Sequence, residues 1–231
     1  FRPQDGTIEF IPGPVFHNLV LVDEINRAPP KVQSALLEAM AERQVTIANE
    51  THPLPAPFLV VATQNPIEHD GTFPLPEAQL DRFLMHVVLG LPDAETERQI
   101  LDLVETEAHQ GAAPHQVLTL AELAEARRAV SQIHLAPELR DYIVRLVMAT
   151  REAARAGVIQ HPVSPRGSIA LAAAARARAY LKGRDYAVPE DVATQAEDAL
   201  AHRMVLTWRA TAEGRTARAV VADLLREIEP L

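Results

Sequence analysis

Apolar runs, each stopped abruptly by polar or turn-forming residues, pattern the N-terminal part of the chain. Residues 19–22, Leu-Val-Leu-Val, end in Asp23-Glu24, and residues 58–63 end in Gln64-Asn65-Pro66. Residues 86–89 are stopped by Gly90 and Pro92. Continuous runs without polar alternation read as buried parallel strands. Between the first two, Pro29-Pro30 opens a helix, where proline suits the first turn. Val32, Ala35, Leu36, Ala39 and Met40 mark its apolar face, with Gln33, Glu38, Glu42 and Arg43 mostly opposite. Residues 44–47 and 51–54 predict a hairpin across Ala48-Asn49-Glu50. Residues 7–10 and 15–16 read as short extended pieces around the turn Ile11-Pro12-Gly13-Pro14. A loop over 67–76 leads to a short helix over 77–83, with Asp81-Arg82 near its end. Strand, helix, strand is the βαβ pattern, which gathers polar residues at one edge of a sheet.

After Pro92 the period becomes helical and stays so. Helices are predicted over 94–107, 120–132, 137–156, 165–182, 189–203 and 217–228, with a linker over 110–114. Asp93 caps the first, Gly183 closes the fourth and Pro189 starts the fifth. A domain boundary near residues 90–92 fits this change of period. No internal repeat is visible.

Composition narrows the picture. The 231 residues are 48% hydrophobic but only 4% aromatic, so the core is aliphatic and alanine-rich. A net charge of −9 argues against wholesale binding to a nucleic-acid backbone. There is no cysteine, hence no disulfide or thiol chemistry, and the nine histidines show no paired metal-ligand spacing. No apolar run reaches membrane-spanning length and no signal peptide is evident, so the default is a soluble cytoplasmic protein. The first residues, Phe1-Arg2-Pro3-Gln4-Asp5-Gly6, read as mid-domain sequence, and the expectation is a piece of a longer chain.

Two adjacent carboxylates at a strand end have no packing reason to exist. Their chemical use is to hold Mg²⁺ through Asp23 and to polarise a water through Glu24 beside a nucleotide triphosphate. The bland reading is a strand running into an acidic turn. Asn65, at the end of the second run, either starts an Asn-Pro turn or offers an amide to a γ-phosphate or water. Arg82 is either a solvated helix-end cation or an arginine finger aimed at a neighbour's phosphate, and spacing does not decide. Arg166 follows Ser164-Pro165 in the first turn of a helix, where a cation opposes the macrodipole; a facing anion makes that placement reasonable, and an ordinary snorkelling arginine is the alternative. No G-x-x-x-x-G-K-[ST] phosphate loop occurs, and Lys31 and Lys182, the only lysines, do not follow glycine.

The segment from Asn18 through Asp23-Glu24-Ile25-Asn26-Arg27-Ala28-Pro29-Pro30 to Gln33-Ser34-Ala35-Leu36-Leu37-Glu38-Ala39-Met40 closely resembles the MoxR-type AAA+ ATPases. So do Ala62-Thr63-Gln64-Asn65-Pro66, the run from Phe73 to Phe83, Ser164-Pro165-Arg166-Gly167 and Gly183-Arg184-Asp185-Tyr186. The resemblance covers nearly the whole chain. It implies an α/β P-loop NTPase core, a parallel sheet with helices on both faces and its N-terminal part missing, over residues 1–91. An α-helical lid follows over 92–231. It implies the Walker B pair at Asp23-Glu24, sensor 1 at Asn65, the arginine finger at Arg82 and sensor 2 at Arg166. The hairpin at 44–54 becomes the one preceding sensor 1, and residues 1–16 the tail of an insertion near a central pore. ATP and Mg²⁺ are the implied ligands. A homo-oligomeric ring, usually a hexamer, a protein client and a partner with a von Willebrand A domain are the implied associates. The implied role is chaperone-like remodelling or metal-cofactor insertion. A magnesium-chelatase-like motor subunit and a non-hydrolysing scaffold are the alternatives. Two departures stand out: the family's Walker A region is expected upstream of Phe1, and Val188 occupies a cap position where threonine is common, an expected loss of about 1 kcal/mol.

Overall fold

The computed structural model describes residues 10–47, 50–65, 71–110 and 116–230. The chain divides into two compact units, one ending at Phe83 and the other beginning at Leu84.

In the first unit β1 (Leu19–Val22) lies parallel to β4 (Leu59–Ala62), in register from Leu19 opposite Leu59 to Val22 opposite Ala62. Between them come α1 (Pro30–Glu42) and an antiparallel hairpin of β2 (Gln44–Ile47) and β3 (Glu50–Pro53). This is the predicted strand–helix–strand crossover, with Glu50 in the ladder opposite Ile47; positions 48 and 49 of the predicted turn, like residues 7–9 and 66–70, lie outside the described residues. Residues 15–16 are not extended: Pro14–Phe16 forms a 3₁₀ turn, because proline at its first position presets φ for it. α2 (Glu77–Leu80) is shorter than predicted.

Two expectations need correction. The strands are not buried on both faces: Leu19, Leu21, Leu59 and Val61 are exposed and alternate with half-buried partners. Burial on both faces requires a layer on each side, and among the described residues one side of this sheet carries none. In α1 the buried residues are Gln33, Leu37 and Ala39, while Val32 is 55% exposed. The helix is thus rotated so that a polar side chain faces inward.

The second unit holds α3 (Ala94–Gln110), α4 (Leu120–Gln132), α5 (Pro137–Arg155), α6 (Pro165–Leu181), α7 (Pro189–Leu200), α8 (Trp208–Ala212) and α9 (Ala217–Glu227). The predicted boundaries hold to within a few residues, and 201–203 forms a 3₁₀ turn after α7. The run 86–89 is not a strand. The His86 amide donates to Asp198 O at 2.8 Å and the His86 carbonyl accepts from Arg218 Nη2 at 3.0 Å, so groups that a ladder would use are tied to the helical unit. Val87, Val88 and Leu89 are exposed. Sequence reading also missed β5 (Ile159–His161) and β6 (Val205–Leu206), an antiparallel pair too short to show periodicity.

The core of this unit is aliphatic and alanine-rich, as composition demanded. Leu146, Ile159, Val163, Leu171, Ala175, Ala179, Val192, Ala196, Ala199 and Val221 are its most buried members, and Tyr142 is the aromatic in the cluster. Asp93 Oδ1 accepts from the Thr96 amide at 2.8 Å, and the bonds from Thr96 hold its carboxyl below the usual value. Gly183 closes α6 with φ +72°, which lets the Arg184 amide reach back to Ala179 O at 3.0 Å. At α7 the missing threonine is offset: Val188 N–H donates to Asp191 Oδ2 at 2.9 Å, one half of a capping box. Among the described residues no helix is long and apolar enough to cross a membrane.

Candidate functional site

The site is built where β1 and β4 end together. Val22 stands opposite Ala62, so the next residues out, Asp23 and Thr63, are neighbours. Backbone bonds continue past the strands: Thr63 N–H donates to Val22 O and Ile25 N–H to Thr63 O, each at 3.0 Å. The Thr63 hydroxyl then serves both acids. It donates to Asp23 Oδ1 at 2.6 Å and accepts from the Glu24 amide at 2.8 Å. Both are shorter than typical bonds of their kind, and a charged acceptor strengthens the first.

Glu24 turns the chain. Its backbone lies in the left-handed region (φ 50°, ψ 54°), which costs a non-glycine residue about 1–3 kcal/mol. Ile25–Arg27 follows as a 3₁₀ turn, anchored by Ile25, which is 2% exposed. Arg27 Nε lies 2.9 Å from Glu24 Oε2, in a partly solvated pair that orients the carboxylate more than it stabilises the fold. The strained turn therefore presents two differently held carboxylates: Asp23 fixed by a hydroxyl, Glu24 steered by a cation.

Asn65 sits half-buried two residues beyond Thr63, on the same exit from β4. Arg82 is exposed just after α2, and its Nη1 donates to Leu37 O of α1 at 3.4 Å. Arg166 belongs to the other compact unit, in the first turn of α6. Its amide donates to the capping Ser164 Oγ at 3.2 Å, and its side chain is exposed. Gly167 beside it is required by packing, since a Cβ there would clash with Val163 Cγ1. The structure thus gathers Asp23, Glu24 and Asn65 at one strand edge, puts Arg82 against α1, and holds Arg166 at a helix start.

Sequence reading assigned no role to Thr63 or Gln33. Thr63 could be found only from the strand register, because its neighbour is Asp23 across the sheet. Replacing it by valine keeps the shape and removes the hydroxyl. If the full-length protein turns over ATP, that turnover is expected to fall about 10–100-fold, as for groups that orient a ligand-binding residue, with the melting temperature little changed. Turnover equal to that of the unsubstituted protein would show that the hydroxyl is dispensable.

Among the described residues no group of three or more His, Cys, Asp or Glu forms a metal cage. Mg²⁺ does not need one. It usually takes one or two protein carboxylates and completes its octahedron with water and phosphate oxygens. An exposed, hydroxyl-oriented Asp23 fits that requirement.

Two parallel strands joined through a helix, with an acidic pair at their shared edge, and a separate helical unit are the architecture of the AAA+ ATPase fold. Residues 1–85 match the model of the ATPase family associated with various cellular activities (AAA), and residues 151–224 match the AAA lid domain. The chain belongs to the MoxR family of AAA ATPases. It is 44% identical over 222 residues to chaperone MoxR1 of Mycobacterium tuberculosis, covering 94% of this chain and 58% of that one. It is 34% identical over 250 residues to protein MoxR of Methylorubrum extorquens, covering 97% and 70%. A crystal structure from Cytophaga hutchinsonii superposes with a TM-score of 0.91 at 40% identity, covering 100% of this chain and 71% of the other. The chain therefore spans rather more than half the length of MoxR1.

Proposed function

We propose that the full-length protein hydrolyses ATP within a homo-oligomeric ring, a hexamer by family habit, and spends the cycle on remodelling a protein client in the cytoplasm. Metal-cofactor insertion is one form such remodelling takes, and a partner with a von Willebrand A domain is the associate to look for. The first unit, ending at Phe83, supplies the nucleotide core and the helical unit the lid, a few residues earlier than the boundary near 90–92 expected from the change of period. The observation that carries this reading is the single Thr63 hydroxyl holding both Asp23 and the Glu24 amide at the end of β1.

Asp23 holds Mg²⁺, directly or through water. When bound, the ion neutralises charge on the phosphate oxygens. Glu24 orients and polarises the attacking water, and Asn65 offers its amide to the γ-phosphate or to that water. Phosphoryl transfer needs little covalent help, so placement of these groups and their electrostatics carry the rate. Arg82 lends a planar cation to the neighbouring subunit's γ-phosphate, and Arg166 reaches the nucleotide from the lid.

Mixed rings test the shared site. Arg82→Ala and Glu24→Gln assemblies should each be inactive. Mixed together they should regain turnover, because a Glu24→Gln subunit lends its arginine to an Arg82→Ala subunit that keeps its acid. Absence of recovery at every ratio would exclude action in trans. An unsubstituted ring that binds ATP without turnover would instead mark a scaffold.

A further inference from the structure

Gln33 is a glutamine only 1% exposed, one turn into α1. Its Nε2 uses both hydrogens on backbone carbonyls, Ile25 O at 3.1 Å and Phe73 O at 2.9 Å. Ile25 directly follows Glu24. Phe73 opens the segment that runs through Leu75, itself buried, into α2 and Arg82. The two loops also meet directly, Phe73 N–H donating to Asn26 O at 2.6 Å. One turn further along α1, Leu37 O receives Arg82 Nη1. A single rigid helix thus carries the loop of the acid at Gln33 and the arginine itself at Leu37.

Packing does not require this arrangement. Leucine or methionine would fill the same volume without burying an amide, and a buried amide is tolerated only where its hydrogen bonds are made. What no apolar side chain supplies is two donors set at the angle of a primary amide, bridging two carbonyls from segments forty-eight positions apart in the chain (25 and 73).

We propose that Gln33 is a positioning residue that binds the Glu24 loop and the Arg82 segment into one body, so that the acid a subunit uses and the arginine it lends to its neighbour change state together. The proposal rests on the assignment of Glu24 to the water and Arg82 to the neighbouring site. In a ring, such a strut passes the state of one nucleotide site to the next through α1, with no relay through the lid.

The test replaces Gln33 by methionine, which keeps the volume and removes both donors. In homogeneous rings kcat should fall about 10–100-fold while KM for ATP stays within about threefold, the pattern of a lost orienting group and not of lost binding. Subunit mixing then separates the two loops. A Gln33→Met subunit disturbed only at its acid would rescue Arg82→Ala subunits by lending an intact arginine. One disturbed only at its arginine would be rescued by Glu24→Gln subunits. The strut predicts recovery in neither mixture, while Arg82→Ala with Glu24→Gln does recover. Recovery in either Gln33→Met mixture overturns the coupling and leaves the roles of Glu24 and Arg82 standing. Failure of the reference mixture overturns the trans role of Arg82 and the coupling with it. If Gln33→Met rings do not assemble, amide exchange on the unsubstituted protein decides: ATP should change the protection of residues 25–28 and 73–76 in parallel. A change in one segment without the other refutes the strut.

Discussion

Glu24→Gln is expected to leave ATP bound and to stop its turnover, with a loss of about 10²–10⁴-fold in kcat, the range for removal of a positioned proton acceptor. The substitution separates chemistry from structure unusually well. Arg27 Nε stands 2.9 Å from the carboxylate as an ion pair, whose charge attraction is all that the substitution removes, and the backbone bond to Thr63 does not involve the side chain. The pair is partly solvated, with side-chain exposures of 51% and 34%, so its charge contributes little to folding. Stability should therefore move by less than about 1 kcal/mol. The left-handed backbone at Glu24 sharpens the expectation. Glycine would occupy φ 50° without strain, and a turn alone would favour it. A carboxylate kept there at a cost is placed for what it does in the site. The measurement is steady-state phosphate release by the full-length protein, with ATP affinity and melting temperature alongside. Turnover within a few-fold of the unsubstituted protein would remove Glu24 from the reaction.

What the sequence shows and what it hides divide along a physical line. β1, β4, α1 and the helices of the second unit were legible because their signals are local: unbroken apolar runs, Pro30 and Pro165 at first turns, Gly183 past a last turn. Asp23 and Glu24 were legible because two acids at a strand end contradict packing. Thr63 was not, since its importance comes from standing one step beyond the Val22–Ala62 pair, and register between strands separated by a crossover is not written in either strand. Gln33 was misplaced for a related reason. Helical periodicity sorts residues by polarity, and a glutamine whose two donors are met by distant carbonyls violates the sorting without penalty. The run 86–89 failed from the opposite side. Its residues favour a strand, but a strand forms only with a partner, and here Asp198 and Arg218 take the backbone groups of His86, its first residue.

The largest effect on stability is expected from Asp191→Ala in the helical unit. Asp191 is 1% exposed and accepts a two-pronged bond from Arg184, at 2.7 and 2.8 Å, together with the Val188 amide. Arg178 Nε adds a charge at 3.3 Å, within ion-pair reach though not aligned as a hydrogen bond. Removing the carboxylate leaves Arg184, about a quarter exposed, without its anion, leaves Arg178 with only the exposed Glu190 at 3.1 Å, and leaves Val188 N–H without its acceptor. Loss of one partner from such a buried group costs about 3–5 kcal/mol. For a unit of this size that corresponds to a fall of roughly 10 °C in melting temperature. Burial by itself would raise the Asp191 pKa; the Arg184 bond, then the Val188 amide and the arginine charges, outweigh it and hold the carboxyl below its ordinary 3.8. The sign follows. A folded pKa below the unfolded one means the stabilisation is complete above about pH 3.8 and is lost as pH falls from there through the folded value. Asp191→Asn should accordingly flatten the acid limb of the stability curve as well as lower its plateau. Replacing Asp191 and Arg184 together by leucine and methionine should cost less than Asp191→Ala alone, because no uncompensated charge is left behind. Calorimetry across pH 3–7 reads all three, and a loss below about 1 kcal/mol for Asp191→Ala would show that water solvates the two arginines without cost.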